Sequence, residues 1–120
     1  KFKITKIENK AFMKYHYLTN VVVGSNVTGI GDYAFYGCPR LATVTVGKNI
    51  RTIGTKAFYG CKKLRTVVIK NTQMTGKTVG SGAFTGTYAK MTVKVPSKKL
   101  KSYKTILLKR GVSKKAVIKK

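Results

Sequence analysis

Apolar residues recur along this chain at a spacing far longer than that of a helix or a strand. Phe12, Phe35 and Phe58 are separated by 23 residues, and Phe84 follows 26 later. An earlier column, Ile7, Ile30, Ile53 and Val79, takes the same three steps. Behind the Phe column come Leu18, Leu41, Leu64 and Met91, the last displaced by one further residue. Two more columns follow: Val21, Val44, Val67, Val93 and Val23, Val46, Ile69, Val95. A shorter row, Ile4, Val27 and Ile50, fades near Met74. A fixed period of this length predicts a solenoid, in which each repeat is one coil that buries its apolar side only against its neighbours.

The pattern within one repeat predicts two kinds of local structure. Leu41, Val44 and Val46 end in strict alternation and are rich in β-branched residues, the signature of a short strand with one buried face. Leu18, Val21, Val23 and Leu64, Val67, Ile69 repeat it. Stacked coils set these strands side by side in a parallel sheet, about 4.8 Å apart. Around the Phe column the pattern changes. Asn9, Asp32, Thr55 and Ser81 each stand three residues before the Phe and are read as N-caps, whose side chain accepts an unpaired helix N–H. Gly37, Gly60 and Gly86 follow and suit a left-handed turn end. Only one helical turn fits between cap and Gly, so Tyr33–Tyr36 and Lys56–Tyr59 are expected as single turns on the outer side. Ala34 and Ala57 let those turns approach the sheet. Phe12, Phe35, Phe58 and Phe84 are expected to point inward as an aromatic spine.

The phrase Ala34-Phe35-Tyr36-Gly37-Cys38-x-x-Leu41 returns as Ala57-Phe58-Tyr59-Gly60-Cys61-x-x-Leu64. With the preceding Ile30-Gly31-Asp32-Tyr33 and the following Val44-x-Val46, it resembles the BspA-type leucine-rich repeat of bacterial surface proteins. The likeness covers about four-fifths of the chain. Many members carry Pro just after the strand, where this chain has Gly24, Gly47 and Lys70, with Pro only at Pro96. Lys14 and Tyr15 replace Gly and Cys in the first copy, and Thr87 replaces Cys in the last. The resemblance implies an α/β repeat solenoid with a short parallel sheet. It also implies a non-enzymatic interaction or adhesion role, in a secreted or surface-attached protein. In such repeats the strand residues outside the core line a concave face, here Asn20, Val22, Thr43, Thr45, Thr66, Val68, Thr92 and Lys94.

The period stops at Pro96, which divides the chain into a solenoid over residues 1–96 and a C-terminal cap over 97–120. Ser97 is read as an N-cap. Leu100, Tyr103 and Leu107 share one helix face, Gly111 ends the helix, and Val112 to Ile118 supply a last short strand. Such a cap would cover the open edge of the last coil. The segment Asn71–Thr78 is polar and holds the three-residue insertion, so a loop is expected there. Within it Thr75-Gly76-Lys77-Thr78 lacks the earlier Gly that a phosphate-binding loop needs, since Asn71 stands in its place, and it is read as an ordinary turn. Lys1–Ile7 match the end of a coil, which suggests that further repeats precede them.

Composition narrows the chemistry. The formal charge is +24, and Glu8 and Asp32 are the only acidic residues. A catalytic pair of carboxylates has almost no residues to draw on, and the single histidine, His16, has no evident partner. Cys38 and Cys61 occupy equivalent places in adjacent coils and are read as two buried thiols in preference to a disulfide. Two cysteines without a second ligand pair make no structural zinc site. No cofactor or metal is expected, and the chain is read as a non-enzyme. Asn26-Val27-Thr28 fits a glycosylation acceptor but is read as coincidence. No apolar stretch approaches the roughly 20 residues needed to cross a bilayer.

Two binding modes therefore compete at this point. A partner protein or glycan, of host or bacterial origin, can lie on the threonine-rich strand face. Alternatively an anionic polymer, such as teichoic acid, a sulfated glycan or nucleic acid, can be held by Lys98, Lys99, Lys101, Lys104, Lys109 and Arg110. The chain itself is expected to be monomeric, outside the cell or on its surface.

Overall fold

The computed structural model describes residues 5–120. Ile4 and most of the Lys1–Ile7 stretch lie outside them. Four coils stack into a body of 38 × 26 × 21 Å, and their strands form two parallel sheets. The smaller joins β1 (Lys6–Ile7), β3 (Gly29–Ile30) and β5 (Thr52–Ile53), and a bridge from Ile53 to Val79 carries it into the fourth coil. The larger runs β2 (Asn20–Val22), β4 (Thr43–Val46), β6 (Thr66–Ile69), β7 (Thr92–Lys94) and β8 (Val117–Lys119). Thr43 pairs with Thr66, and Val44 with Val67, so the 23-residue period becomes direct strand-to-strand register.

The core is the set of columns read in the sequence. Ile30, Ile53 and Val79 are buried, as are Leu41, Leu64 and Met91, Val44, Val67 and Val93, and Val46, Ile69 and Val95. Val27, Ile50 and Met74 close the row that fades in the sequence. Phe35, Phe58 and Phe84 are buried, with centroids 5.2 and 5.4 Å apart and planes within 11° of parallel. Phe12 extends the stack, 5.4 Å from Phe35, but is 39% exposed because it is covered on one side only.

The outer turns are tighter than an α-helical turn. In the second coil two N–H groups close locally, from Ala34 to the Gly31 carbonyl and from Tyr36 to the Tyr33 carbonyl. Alternate groups reach the next coil instead: Tyr33 to Thr55, Phe35 to Ala57, Gly37 to Tyr59. Every second amide is thus spent between coils, as in a parallel ladder. The alternation is possible because Tyr33 and Gly37 both have positive φ, 59° and 66°. This geometry corrects the reading of the capping residues. Asn9 Oδ1 accepts from the Asp32 N–H at 2.8 Å, and Asp32 Oδ1 accepts from the Thr55 N–H at 2.9 Å. They bind the equivalent position of the next coil, not the amides of their own turn.

After Pro96 a 3₁₀ turn, Ser97–Lys99, leads into α1 (Leu100–Lys109). Ser97 makes no capping hydrogen bond, so its expected N-cap role is also corrected. Tyr103 and Leu107 are the buried residues of α1. The helix stops in a Schellman arrangement: the Val112 N–H bonds the Leu107 carbonyl and the Gly111 N–H that of Leu108. Gly111, with φ of 107°, takes the left-handed position. The carbonyl of Arg110 then accepts from the Phe84 N–H, the place that a following coil would fill, and β8 pairs beside β7. Among the described residues, no helix is long and apolar enough to cross a membrane.

Candidate interaction surfaces

Register places the strand-face residues in two rows. Asn20, Thr43, Thr66 and Thr92 stand side by side, and so do Val22, Thr45, Val68 and Lys94. Because β8 pairs with β7, Val117 joins the first row and Lys119 the second. Sequence reading missed both, since β8 lies outside the period and carries no repeat signal. Asn20, Val22 and Lys94 are exposed, while the threonines and Val68 are half-buried by their neighbours. Thr43 donates to Asn20 Oδ1 at 2.6 Å, which ties the first two coils on this face. The surface is thus a fixed grid of hydroxyl and methyl groups, with cations only at its C-terminal end.

The basic residues of the cap are dispersed differently. Lys98, in the 3₁₀ turn, and Lys101, Lys104 and Lys109, in α1, are exposed, and Lys99 is half-buried. Arg110 does not stand with them. Its Nε donates to the Val79 carbonyl at 2.8 Å and its Nη2 to that of Gly76 at 2.6 Å. The guanidinium clamps the insertion loop and belongs to the fold, which removes it from a polyanion set.

That loop is pinned from several directions. Asn71 is buried, and its Nδ2 donates to the Ile50 carbonyl at 2.8 Å. Tyr103 donates its phenol proton to the Asn71 carbonyl and accepts from the Met74 N–H. Burial pushes the Tyr103 phenol above its ordinary pKa, against the smaller opposing pull of the Met74 amide. The Thr75–Thr78 segment is closed by its own hydroxyls, with Thr78 Oγ1 accepting from the Thr75 N–H.

Cys38 and Cys61 are free thiols, buried in adjacent coils. Their Sγ atoms donate to the carbonyls of Phe12 and Phe35 at 3.1 and 3.0 Å. The neighbouring Cys38 side chain, together with burial, raises the pKa of the Cys61 thiol, so it stays protonated, while Cys61 in turn lowers that of Cys38. For Cys61 this is the setting of an inert structural thiol, and both cysteines are shielded by burial. Among the described residues, no cluster of three or more His, Cys, Asp or Glu could hold a metal.

A cleft of about 890 Å³ opens at the N-terminal end of the stack, where Ile7, Leu18, Val21 and Phe12 face outward from the first coil. A family model for the BspA type leucine rich repeat region matches residues 1–108 in six copies. Comparison with curated proteins and with solved structures finds no match.

Proposed function

Because the chain belongs to the BspA-type leucine-rich repeat family, we propose that it is a non-enzymatic interaction module, acting in adhesion outside the cell or on its surface. The reading is supported by one observation above the others. The two rows on the solvent face of the larger sheet hold eight side chains, from Asn20 to Lys94, in fixed register and with little charge. A rigid, sparsely charged, hydroxyl-rich strand face suits a protein or glycan surface: little ordering entropy is lost on contact, and hydrogen-bonding groups are already set out. Its core residues are consumed by stacking, so the face can bind without cost to the fold. The division into a solenoid over 1–96 and a cap over 97–120 belongs to the same proposal. The cap closes one end and leaves the sheet face free.

Beads carrying the chain, tested for retention on epithelial monolayers, give the measurement. Thr45→Arg with Thr66→Arg should abolish retention, leave the melting temperature unchanged, and do so equally at low and high salt. Retention of the double variant at the original level would overturn the proposal. Loss of retention with salt alone would transfer the binding to the exposed lysines, through counterion release.

A further inference from the structure

A small polar cavity lies where the three-residue insertion meets the preceding turn. In the second and third coils the turn after the strand packs on its neighbour, and Asn49 Nδ2 donates to the Ser25 carbonyl at 2.7 Å. At the fourth coil the chain detours. The Lys70 N–H still joins the ladder at the Val46 carbonyl, Asn71 turns inward, and Met74 fills the core place after Ile50. Thr72 and Gln73 are thereby carried outward over the preceding turn. Between them and that turn lies a cavity of about 160 Å³, lined by Lys48, Asn49, Ile50, Arg51, Thr72 and Gln73.

We propose that this cavity is an oxyanion site, which takes a phosphate or sulfate group borne by a larger ligand. Its size argues for a head group, since pockets for whole small molecules begin near 300 Å³. Its side chains argue for an anion. Lys48 and Arg51 bring two cations, and Gln73, Thr72 and Asn49 bring amide and hydroxyl donors. Among the described residues, the side chains of Lys48, Arg51, Thr72 and Gln73 make no hydrogen bond within the protein, so their donors are available. The chain's two carboxylates, Glu8 and Asp32, do not line the cavity, and Asp32 Oδ1 is engaged by the Thr55 amide. Arg51 supplies a planar fork suited to two oxygens of one group, and Lys48 a point charge.

The walls are also preorganised. Asn71 and Met74, on either side of Thr72 and Gln73, are both held by the Tyr103 phenol, and Asn71 is held again by the Ile50 carbonyl. The opposite wall is fixed through Asn49 and Ser25. The site lies apart from the strand-face rows, so it stands or falls independently of the adhesive reading.

The test is an amide-shift titration of the labelled full chain with inorganic phosphate and inorganic sulfate, in a chloride background. Saturable shifts should concentrate at residues 48–51 and 72–73. Lys48→Gln with Arg51→Gln should weaken them by about tenfold or more, whereas Lys98→Gln with Lys101→Gln, which removes the same charge, should leave them unchanged. A melting curve on each variant checks that the fold is kept. Arg51→Lys, which keeps charge but loses the fork, should weaken binding less than Arg51→Gln. Shifts spread over the exposed lysines, or equal losses in the two double variants, would overturn the site in favour of general attraction to a polycation. Glycerol phosphate and glucose 6-sulfate then distinguish the source. A stronger response to the first supports a phosphate polymer, and to the second a sulfated glycan.

Discussion

The phenol of Tyr103 donates a 2.9 Å hydrogen bond to the carbonyl of Asn71, 32 residues earlier, and accepts one from the Met74 N–H. One hydroxyl therefore ties the terminal helix to the irregular coil. Tyr103→Phe keeps the ring and strands two buried backbone groups, which should cost about 1–3 kcal/mol. Denaturant unfolding measures this loss. Its pH dependence follows from the raised pKa of the phenol. The folded state keeps the proton longer than the unfolded chain does. The contribution is therefore complete below the unfolded pKa of about 10, and it is lost as pH rises through the folded value. The stability gap between wild type and Tyr103→Phe should be constant below that pH and narrow above it. A gap that widens there would contradict the burial argument.

The aromatic stack predicts a ranking. Phe35, Phe58 and Phe84 are buried, while Phe12 is 39% exposed and stacks only on Phe35. Phe58→Ala removes a ring packed on both faces and should cost roughly 3–5 kcal/mol. Phe12→Ala gives up one offset stack, worth about 0.5–1.5 kcal/mol beyond its partial burial. Thermal melts of the two variants should differ clearly. Equal losses would mean that the ends of the stack are as well supported as its middle.

What the sequence made legible is what stacking repeats. The Ile30, Leu41, Val44 and Val46 columns each point at their own copy one period on, so identity at fixed spacing is itself a contact prediction. Where a residue acts once, the signal disappears. Tyr103 reads as one apolar position on a helix face, and nothing local announces the loop that it holds. Arg110 reads as a helix-end cation, and its two bonds to Val79 and Gly76 exist only because the insertion brings those carbonyls near. The sequence places Val112 at the start of the last strand, whereas Val112 caps the helix by its bond to the Leu107 carbonyl and the strand begins at Val117. The strand-face rows could be counted from alternation, whereas Val117 and Lys119 could not, because β8 joins the sheet after the period has ended.

Asp32 illustrates an ambiguity that chemistry alone leaves open. A short carboxylate before a turn can accept an amide of its own turn or of the next coil, and residue type favours neither. Here it accepts from Thr55, as Asn9 accepts from Asp32. Because an amide oxygen already serves at Asn9, Asp32→Asn should be nearly neutral. Asp32→Ala removes the acceptor and should cost about 0.5–1.5 kcal/mol. Hydrogen exchange at the Thr55 amide reads the same bond directly. It should accelerate in the Ala variant and stay protected in the Asn variant. Unchanged protection in Asp32→Ala would return Asp32 to a purely local role.

Gly54 sets the limit on how closely coils approach. A Cβ placed there would lie 2.4 Å from the Asp32 nitrogen and 2.6 Å from its Oδ1. Those atoms belong to the interface bond just described and cannot retreat without opening it. Gly24 follows a strand in the first coil, and a Cβ there meets nothing within 4 Å. Gly24→Ala should therefore be neutral or slightly stabilising, through the unfolded chain alone. Gly54→Ala should cost about 1–3 kcal/mol or more as an overpacked contact, with the loss accompanied by faster exchange at Thr55. The pair separates two explanations of the repeated glycine. If Gly54→Ala proved as mild as Gly24→Ala, coil spacing would be set by the Phe stack and not by backbone contact. A large loss confined to Gly54 places the limit at the turn itself, where the backbones of adjacent coils meet without side chains between them.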